Sequence, residues 1–228
     1  MFLVPLESNP EVMTAFLHKL GVPKKWGITD VYGLDPDLLA VVPRPVLAVI
    51  LLYPLRNEYE GIKSIDNNAT KDIVKEEIDG VYYLKQYVPN ACGTIALLHS
   101  VANNTDVIHL ENDVLKKFLE ETQKKNPDER GNHFMNAQGL LDTHKESALE
   151  GQTEVPSEDT PVNYHFVAFV HKNGILYELD GRKDGPIKHG LTTPDTLLED
   201  AARVCKEFMN RDPEEMGFTV VALTALNE

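Results

Sequence analysis

The chain has 228 residues, enough for one domain with a sizeable core or two small ones. Its 36 acidic side chains outnumber 22 basic ones, and the formal charge of −14 disfavours nucleic-acid phosphates and anionic membrane surfaces as partners. Two cysteines are too few for a disulfide scaffold, no targeting segment is read at the N-terminus, and the longest apolar run, Val46 to Tyr53, is far below the ~20 residues that cross a bilayer. A cytoplasmic monomer is expected.

In chain order, Asn9-Pro10 supplies an N-cap and a first-turn proline for a helix over Glu11 to Leu20, with Val12, Phe16, Leu17 and Leu20 on one stripe. A strand over Ile28 to Tyr32 and a short acidic helical turn near Pro36 to Ala40 follow. Val46 to Tyr53 lacks polar alternation and so predicts a central strand buried on both faces. Asn57 to Asp79 is charged and weakly periodic, and Val81 to Tyr87 has the β-branched and aromatic content of a short strand. The punctuated stretch Pro89 to Thr94 leads into a helical pattern from Ile95 to Ala102, which puts Cys92 at or near a helix start. Helices are predicted over Asn112 to Gln123 and Asp128 to Leu141, whereas periodicity disappears from Thr143 to Asn163. An unpatterned stretch of that length inside a domain is commonly an active-site lid or a linker. Tyr164 to His171 and Ile175 to Leu179 form a hairpin across Asn173-Gly174. A helix from Thr193-Pro194 to about Asn210 and a strand over Phe218 to Ala225 complete an α+β domain, expected as a single unit over residues 1–228.

A catalytic cysteine acts as its thiolate, which a helix N-terminus and a nearby histidine both favour. Cys92 has the first by local pattern, whereas Cys205, among Ala201, Val204 and Phe208, reads as core. Of the eight histidines, His165 and His171 share one strand but stand about 20 Å apart, so at most one reaches Cys92. His99 lies about 10 Å from Cys92 along the same helix, too far to serve it. The tight hairpin returns Asp180 towards His165 rather than His171, which favours the pair His165 and Asp180. Gln86, in the segment leading to Cys92, is an amide donor for an oxyanion. No Cys-x-x-Cys or His-x-x-x-His spacing and no glycine-rich phosphate loop is present, so neither a metal nor another cofactor is expected. Acidic residues at Glu7, Glu11, Asp30, Asp35 and Asp37 form a solvated face or a surface for a basic peptide.

Taken in order, Gln86, Asn90-Ala91-Cys92-Gly93-Thr94, Tyr164-His165-Phe166 and Leu179-Asp180-Gly181-Arg182-Lys183 resemble the ubiquitin carboxyl-terminal hydrolase family of cysteine deubiquitinases. Val31-Tyr32-Gly33-Leu34-Asp35, Pro43-Arg44-Pro45 and Glu150-Gly151-Gln152-Thr153 extend the resemblance, which runs over essentially the whole chain and is closest to the short cytosolic members. It implies Cys92 as nucleophile, His165 as base and then acid, Asp180 as its orienter and Gln86 as oxyanion donor with the Cys92 amide. It also implies a papain-related fold, a central antiparallel sheet between helical layers, with a knotted backbone, and a crossover loop over the active site at 143–163. The substrate implied is ubiquitin carrying a small or unfolded adduct at its C-terminal glycine. Glu7, Glu11, Asp30 and Asp35 would meet the arginines of its tail, and Pro5, Leu6, Met216 and Phe218 would form an apolar surface for its globule. Other readings are a ubiquitin-like modifier such as Nedd8 as substrate, an acyltransferase or transglutaminase with the same catalytic order, and a ubiquitin-binding adaptor with little turnover.

Overall fold

The computed structural model describes residues 3–55, 80–111, 113–152 and 163–226. Among them, seven helices surround one six-stranded antiparallel sheet. The helices are α1 (Pro10–Lys19), α2 (Pro36–Leu39), α3 (Cys92–Ala102), α4 (Asp113–Thr122), α5 (Pro127–Phe134), α6 (Gln138–Ala148) and α7 (Leu197–Met209). The strands are β1 (Trp26–Asp30), β2 (Val46–Pro54), β3 (Tyr164–Lys172), β4 (Ile175–Leu179), β5 (Ile187–Leu191) and β6 (Thr219–Ala225), in the spatial order β1-β6-β2-β3-β4-β5. The α+β class and the antiparallel sheet are as expected.

The central strands explain the two helical layers. Along β2, Ala48 and Ile50 enter one apolar cluster with α1, α3, α5 and α6, while Val49 and Leu51 enter a second with α2 and α7. Phe166, Ala168 and Val170 of β3 face the first cluster, and Val167 and Phe169 the second. The uninterrupted apolar run is thus a strand with a helical layer on each face. Each fully buried Leu, Ile or Phe contributes about 2–3 kcal/mol against exposure.

Local signals hold where they are chemical. Asn9 Oδ1 accepts from the amides of Glu11 and Val12, with Pro10 opening α1. Asn173 and Gly174 have φ of 50° and 79°, the left-handed pair a two-residue hairpin turn requires. The turn pairs Lys172 with Ile175 and Ala168 with Leu179.

Three expectations are corrected, and one strand is added. Residues 81–87 are not a strand: their main chain is satisfied by side chains and loops. Asn103 pairs with Tyr82 N and O, His99 Nε2 accepts from Leu84 N, Arg130 donates to Tyr83 O, and Gln86 N donates to Gly181 O. The helix read over 128–141 is two, α5 and α6, separated at 135–137. The stretch expected to be structureless from 143 is helical to Ala148, because His144, Ser147 and Ala148 continue the buried stripe of Leu140 and Leu141 in polar or small residues that hydropathy does not register. Strand β5 carries no apolar pattern in the sequence, because only Ile187 of it is buried. The rest of the expected crossover loop, 153–162, lies outside the described residues, as does the charged stretch 57–79.

Candidate active site

Cys92 is the first residue of α3, whose N-terminus has no side-chain cap; Ala91 occupies the cap position. The helix is buried almost throughout, and it lies against β3 with Gly93 so close to Leu6 and the Phe166 ring that a Cβ would stand 3.2 Å from each. That close approach sets the thiol beside the start of β3, where His165 is the second residue.

His165 Nε2 lies 2.6 Å from Asp180 Oδ1, and both residues are buried. Asp180 follows β4 directly, so the hairpin carries it back to the start of β3. The carboxylate only accepts, so Nε2 donates and Nδ1 is left for the thiol. Nδ1 is buried and makes no hydrogen bond of ordinary geometry, yet Cys92 and His165 interact closely enough to shift each other's protons. Burial opposes the Cys92 thiolate, but the His165 imidazole and the Phe166 amide outweigh it and lower the thiol pKa. Burial likewise opposes the imidazolium, but Asp180 and Cys92 raise His165 to about 9. Asp180 falls to about 2, as His165 and Lys183 outweigh its burial, and the Arg182 amide donates to Oδ1 at 3.0 Å. A low thiol and a high imidazole in contact favour a thiolate–imidazolium pair, the nucleophile and acid of acyl transfer.

Gln86 stands on the segment that passes this loop. Its main-chain amide donates to Gly181 O at 2.8 Å, and its side-chain Nε2 donates to Val88 O at 3.1 Å. The first bond anchors the residue and the second orients the amide group, while the other Nε2 hydrogen remains for an acceptor. Oε1 is buried without a partner.

Three further groups brace the site and carry no periodic or motif signal in sequence. The Tyr83 hydroxyl bonds the Asp180 and Lys183 carbonyls at 2.6 and 2.7 Å, tying the Asp180 turn to the Gln86 segment. Buried Glu178 holds Lys183 Nζ at 2.6 Å and His189 Nε2 at 2.7 Å. Tyr53 sets its ring edge-on to His165, with centroids 5.8 Å apart.

The other sequence candidates are dispersed. His171 accepts from Gly174 N at the far end of the hairpin, and His99 stacks on Tyr83 inside the core. Cys205 is buried in the second cluster, where burial pushes its thiol up. Glu11 and Asp35 are exposed, Asp35 3.8 Å from Lys206, while Glu7 and Asp30 are half-buried. Met216 is 88% exposed, whereas Phe218 packs against the second cluster. Leu6 is only 3% exposed and anchors the N-terminal arm on Gly93, so it cannot offer an open apolar surface. Among the described residues, no group of three or more His, Cys, Asp or Glu is placed to hold a metal ion, and no helix is long and apolar enough to cross a membrane.

A helix-borne thiol, a strand-borne imidazole and a carboxylate on the adjacent hairpin end form the arrangement of a thiol acyl-transfer enzyme, and the family match makes that class a cysteine peptidase. The family model described as ubiquitin carboxyl-terminal hydrolase, family 1, matches residues 3–210. A Drosophila melanogaster ubiquitin carboxyl-terminal hydrolase is 48% identical over 224 residues, covering 98% of each chain. The Homo sapiens ubiquitin carboxyl-terminal hydrolase isozyme L1 is 43% identical over 224 residues, again 98% of each. Among solved structures, the Trichinella spiralis UCH37 catalytic domain bound to ubiquitin vinyl methyl ester has the same fold, with a TM-score of 0.78 at 22% identity, over 99% of this chain and 97% of that one. The chain therefore belongs to the ubiquitin carboxyl-terminal hydrolase family 1 of cysteine peptidases.

Proposed function

We propose that the protein hydrolyses the bond after the C-terminal glycine of ubiquitin. The observation that carries this is the buried Cys92–His165–Asp180 arrangement in a chain of this family. The Cys92 thiolate attacks the glycine carbonyl, and the tetrahedral oxyanion is held by the free Gln86 Nε2 hydrogen and the Cys92 amide. The His165 imidazolium gives its proton to the departing amine or thiol as the C–N or C–S bond breaks, leaving a thioester on Cys92. Neutral His165 then takes a proton from water, whose oxygen attacks the thioester. Ubiquitin leaves with a free carboxylate, and the thiolate–imidazolium pair is restored. Asp180 keeps the ring's Nε2 hydrogen on itself and its Nδ1 towards sulfur.

The acidic Glu7, Glu11, Asp30 and Asp35 supply a face for a basic tail, each worth under about 1 kcal/mol and felt mainly in association rate. Pro5, Met216 and Phe218 stand as the contacts for the ubiquitin globule. We place the protein in the cytoplasm, a reading supported by two unpaired thiols, and take it as a monomer. The deciding experiment is release of a fluorophore from the C-terminus of ubiquitin, beside Cys92→Ala and the same probe on Nedd8. Cysteine-dependent release is expected, and the ratio of the two probes sets the modifier preference. Ubiquitin binding without release would instead make the chain an adaptor.

A further inference from the structure

The arm that precedes α1 runs past the start of α3, and side chains from two other elements grip its main chain. Asn90, in the loop before Cys92, donates from Nδ2 to the Leu3 carbonyl at 3.1 Å. His144 of α6 meets the next carbonyl, Val4 O, with Nε2 at 2.7 Å, and meets Thr94 Oγ1 with Nδ1 at 2.6 Å. A carbonyl can only accept, so Nε2 carries a hydrogen. Burial keeps the ring neutral, so Nδ1 is a bare acceptor and the Thr94 hydroxyl donates to it. One tautomer therefore satisfies both bonds, and His144 and Thr94 are fully buried.

Neither bond is needed to make α6 a helix. Both cross between elements, joining the residue two positions after Cys92 to the arm. A little further along that arm, Glu7 stands against Gly151 in the 149–152 turn, where an added Cβ would collide with its carboxylate. Lys19 holds the same turn by an ion pair to Glu150 at 2.8 Å.

We propose that His144 is a positioning residue for substrate binding, linking Thr94 on the nucleophile helix to the Val4 carbonyl and so fixing where Glu7 stands relative to Cys92. The ligand affected is the basic tail of the modifier, and the inference rests on the hydrolase reading above. Glu7 is useful only if its carboxylate meets a tail whose last carbonyl is already at the thiol, so arm and helix must hold a common register. Rigid elements linked by one buried and one half-buried hydrogen bond supply that register better than a free terminus.

The test compares His144→Leu, His144→Gln and Thr94→Val in the full chain, using ubiquitin with a C-terminal fluorogenic amide. Glutamine keeps one donor for Val4 O and one acceptor for Thr94, whereas leucine has neither and valine removes the Thr94 hydroxyl at nearly constant shape. His144→Leu and Thr94→Val are expected to raise KM up to about fivefold, the scale of one exposed ion pair lost by a displaced Glu7. They should leave kcat and the rate of Cys92 alkylation by iodoacetamide within about twofold, with His144→Gln near wild type. Unchanged KM in folded Thr94→Val overturns the proposal, as does a fall in kcat and alkylation at constant KM, which would place the bond in support of the thiol. A glutamine variant as impaired as leucine also overturns it. Should His144→Leu not fold, Thr94→Val decides. Absence of release by the wild-type chain would sink the hydrolase reading instead, and the Kd of unmodified ubiquitin for wild type against Thr94→Val then tests the arm directly, equal values overturning it.

Discussion

His165 and Asp180 meet through Nε2 and Oδ1 at 2.6 Å, with side-chain exposures of 1% and 4%. So little water reaches the pair that the carboxylate sets both the tautomer and the proton affinity of the ring. Asp180→Asn keeps an acceptor for Nε2 but loses the charge, so kcat/KM should fall up to about 10⁴-fold, less than for loss of His165. The alkaline limb of the pH–rate profile, set by deprotonation of the imidazolium near pH 9 in wild type, should move down. Wild-type turnover with an unmoved limb would remove Asp180 from its orienting role.

The same pair makes stability depend on pH. His165 titrates at about 9 in the fold against 6.5 in an unstructured chain, so its contribution is complete below 6.5 and lost as pH rises through about 9. Asp180 titrates at about 2 against 3.8, so its contribution is complete above 3.8 and lost as pH falls through about 2. The stability difference between wild type and Asp180→Asn should therefore peak between about pH 4 and 6.5 and shrink on both sides. Urea unfolding across that range measures it, and a pH-independent difference would contradict the ion pair.

Gln86 is held against Gly181, where an added Cβ would stand 3.0 Å from Gln86 Cβ and 3.1 Å from the Ile95 side chain. Removal of the donor in Gln86→Ala should lower kcat about 10²-fold with KM little changed. Gly181→Ala should act in the same direction while leaving the donor present, by pushing the segment away from the thiol. Full kcat in Gln86→Ala would place the amide outside the oxyanion site.

Burial opposes the Glu178 carboxylate, but Lys183 and His189 outweigh that and lower its pKa. Glu178→Ala leaves Lys183 without its counter-charge and His189 without its acceptor, so a loss of about 1–3 kcal/mol in denaturant unfolding is expected. Glu178→Gln, which keeps an acceptor, should lose less. Equal stability of Glu178→Ala and wild type would mean that Lys183 and His189 find water without cost.

Motif and pattern singled out Cys92, His165, Asp180 and Gln86 as candidates, and turn chemistry explains why His165 rather than His171 is near Asp180: the left-handed Asn173-Gly174 pair gives the hairpin its register. Periodicity found α1, β2, β3, β4, α7 and β6 because each presents a continuous apolar face. It misread residues 81–87, whose strand-like composition serves a segment bonded to side chains, and the end of α6, whose buried face is His144, Ser147 and Ala148. The resemblance also offered Leu6 as an apolar surface, although its place is against Gly93.

What the order of residues carried was local chemistry: caps, turns, strand alternation and a set of reactive side chains at spacings that identify a family. Only the packed fold chose the Nε2 of His165 for Asp180, closed Tyr83 over the Asp180 turn and joined His144 to both Thr94 and Val4. Those bonds link residues 15, 97, 50 and 140 positions apart. No local preference encodes them, because each exists only once the sheet and its two apolar clusters have excluded water and left those polar groups no other partner.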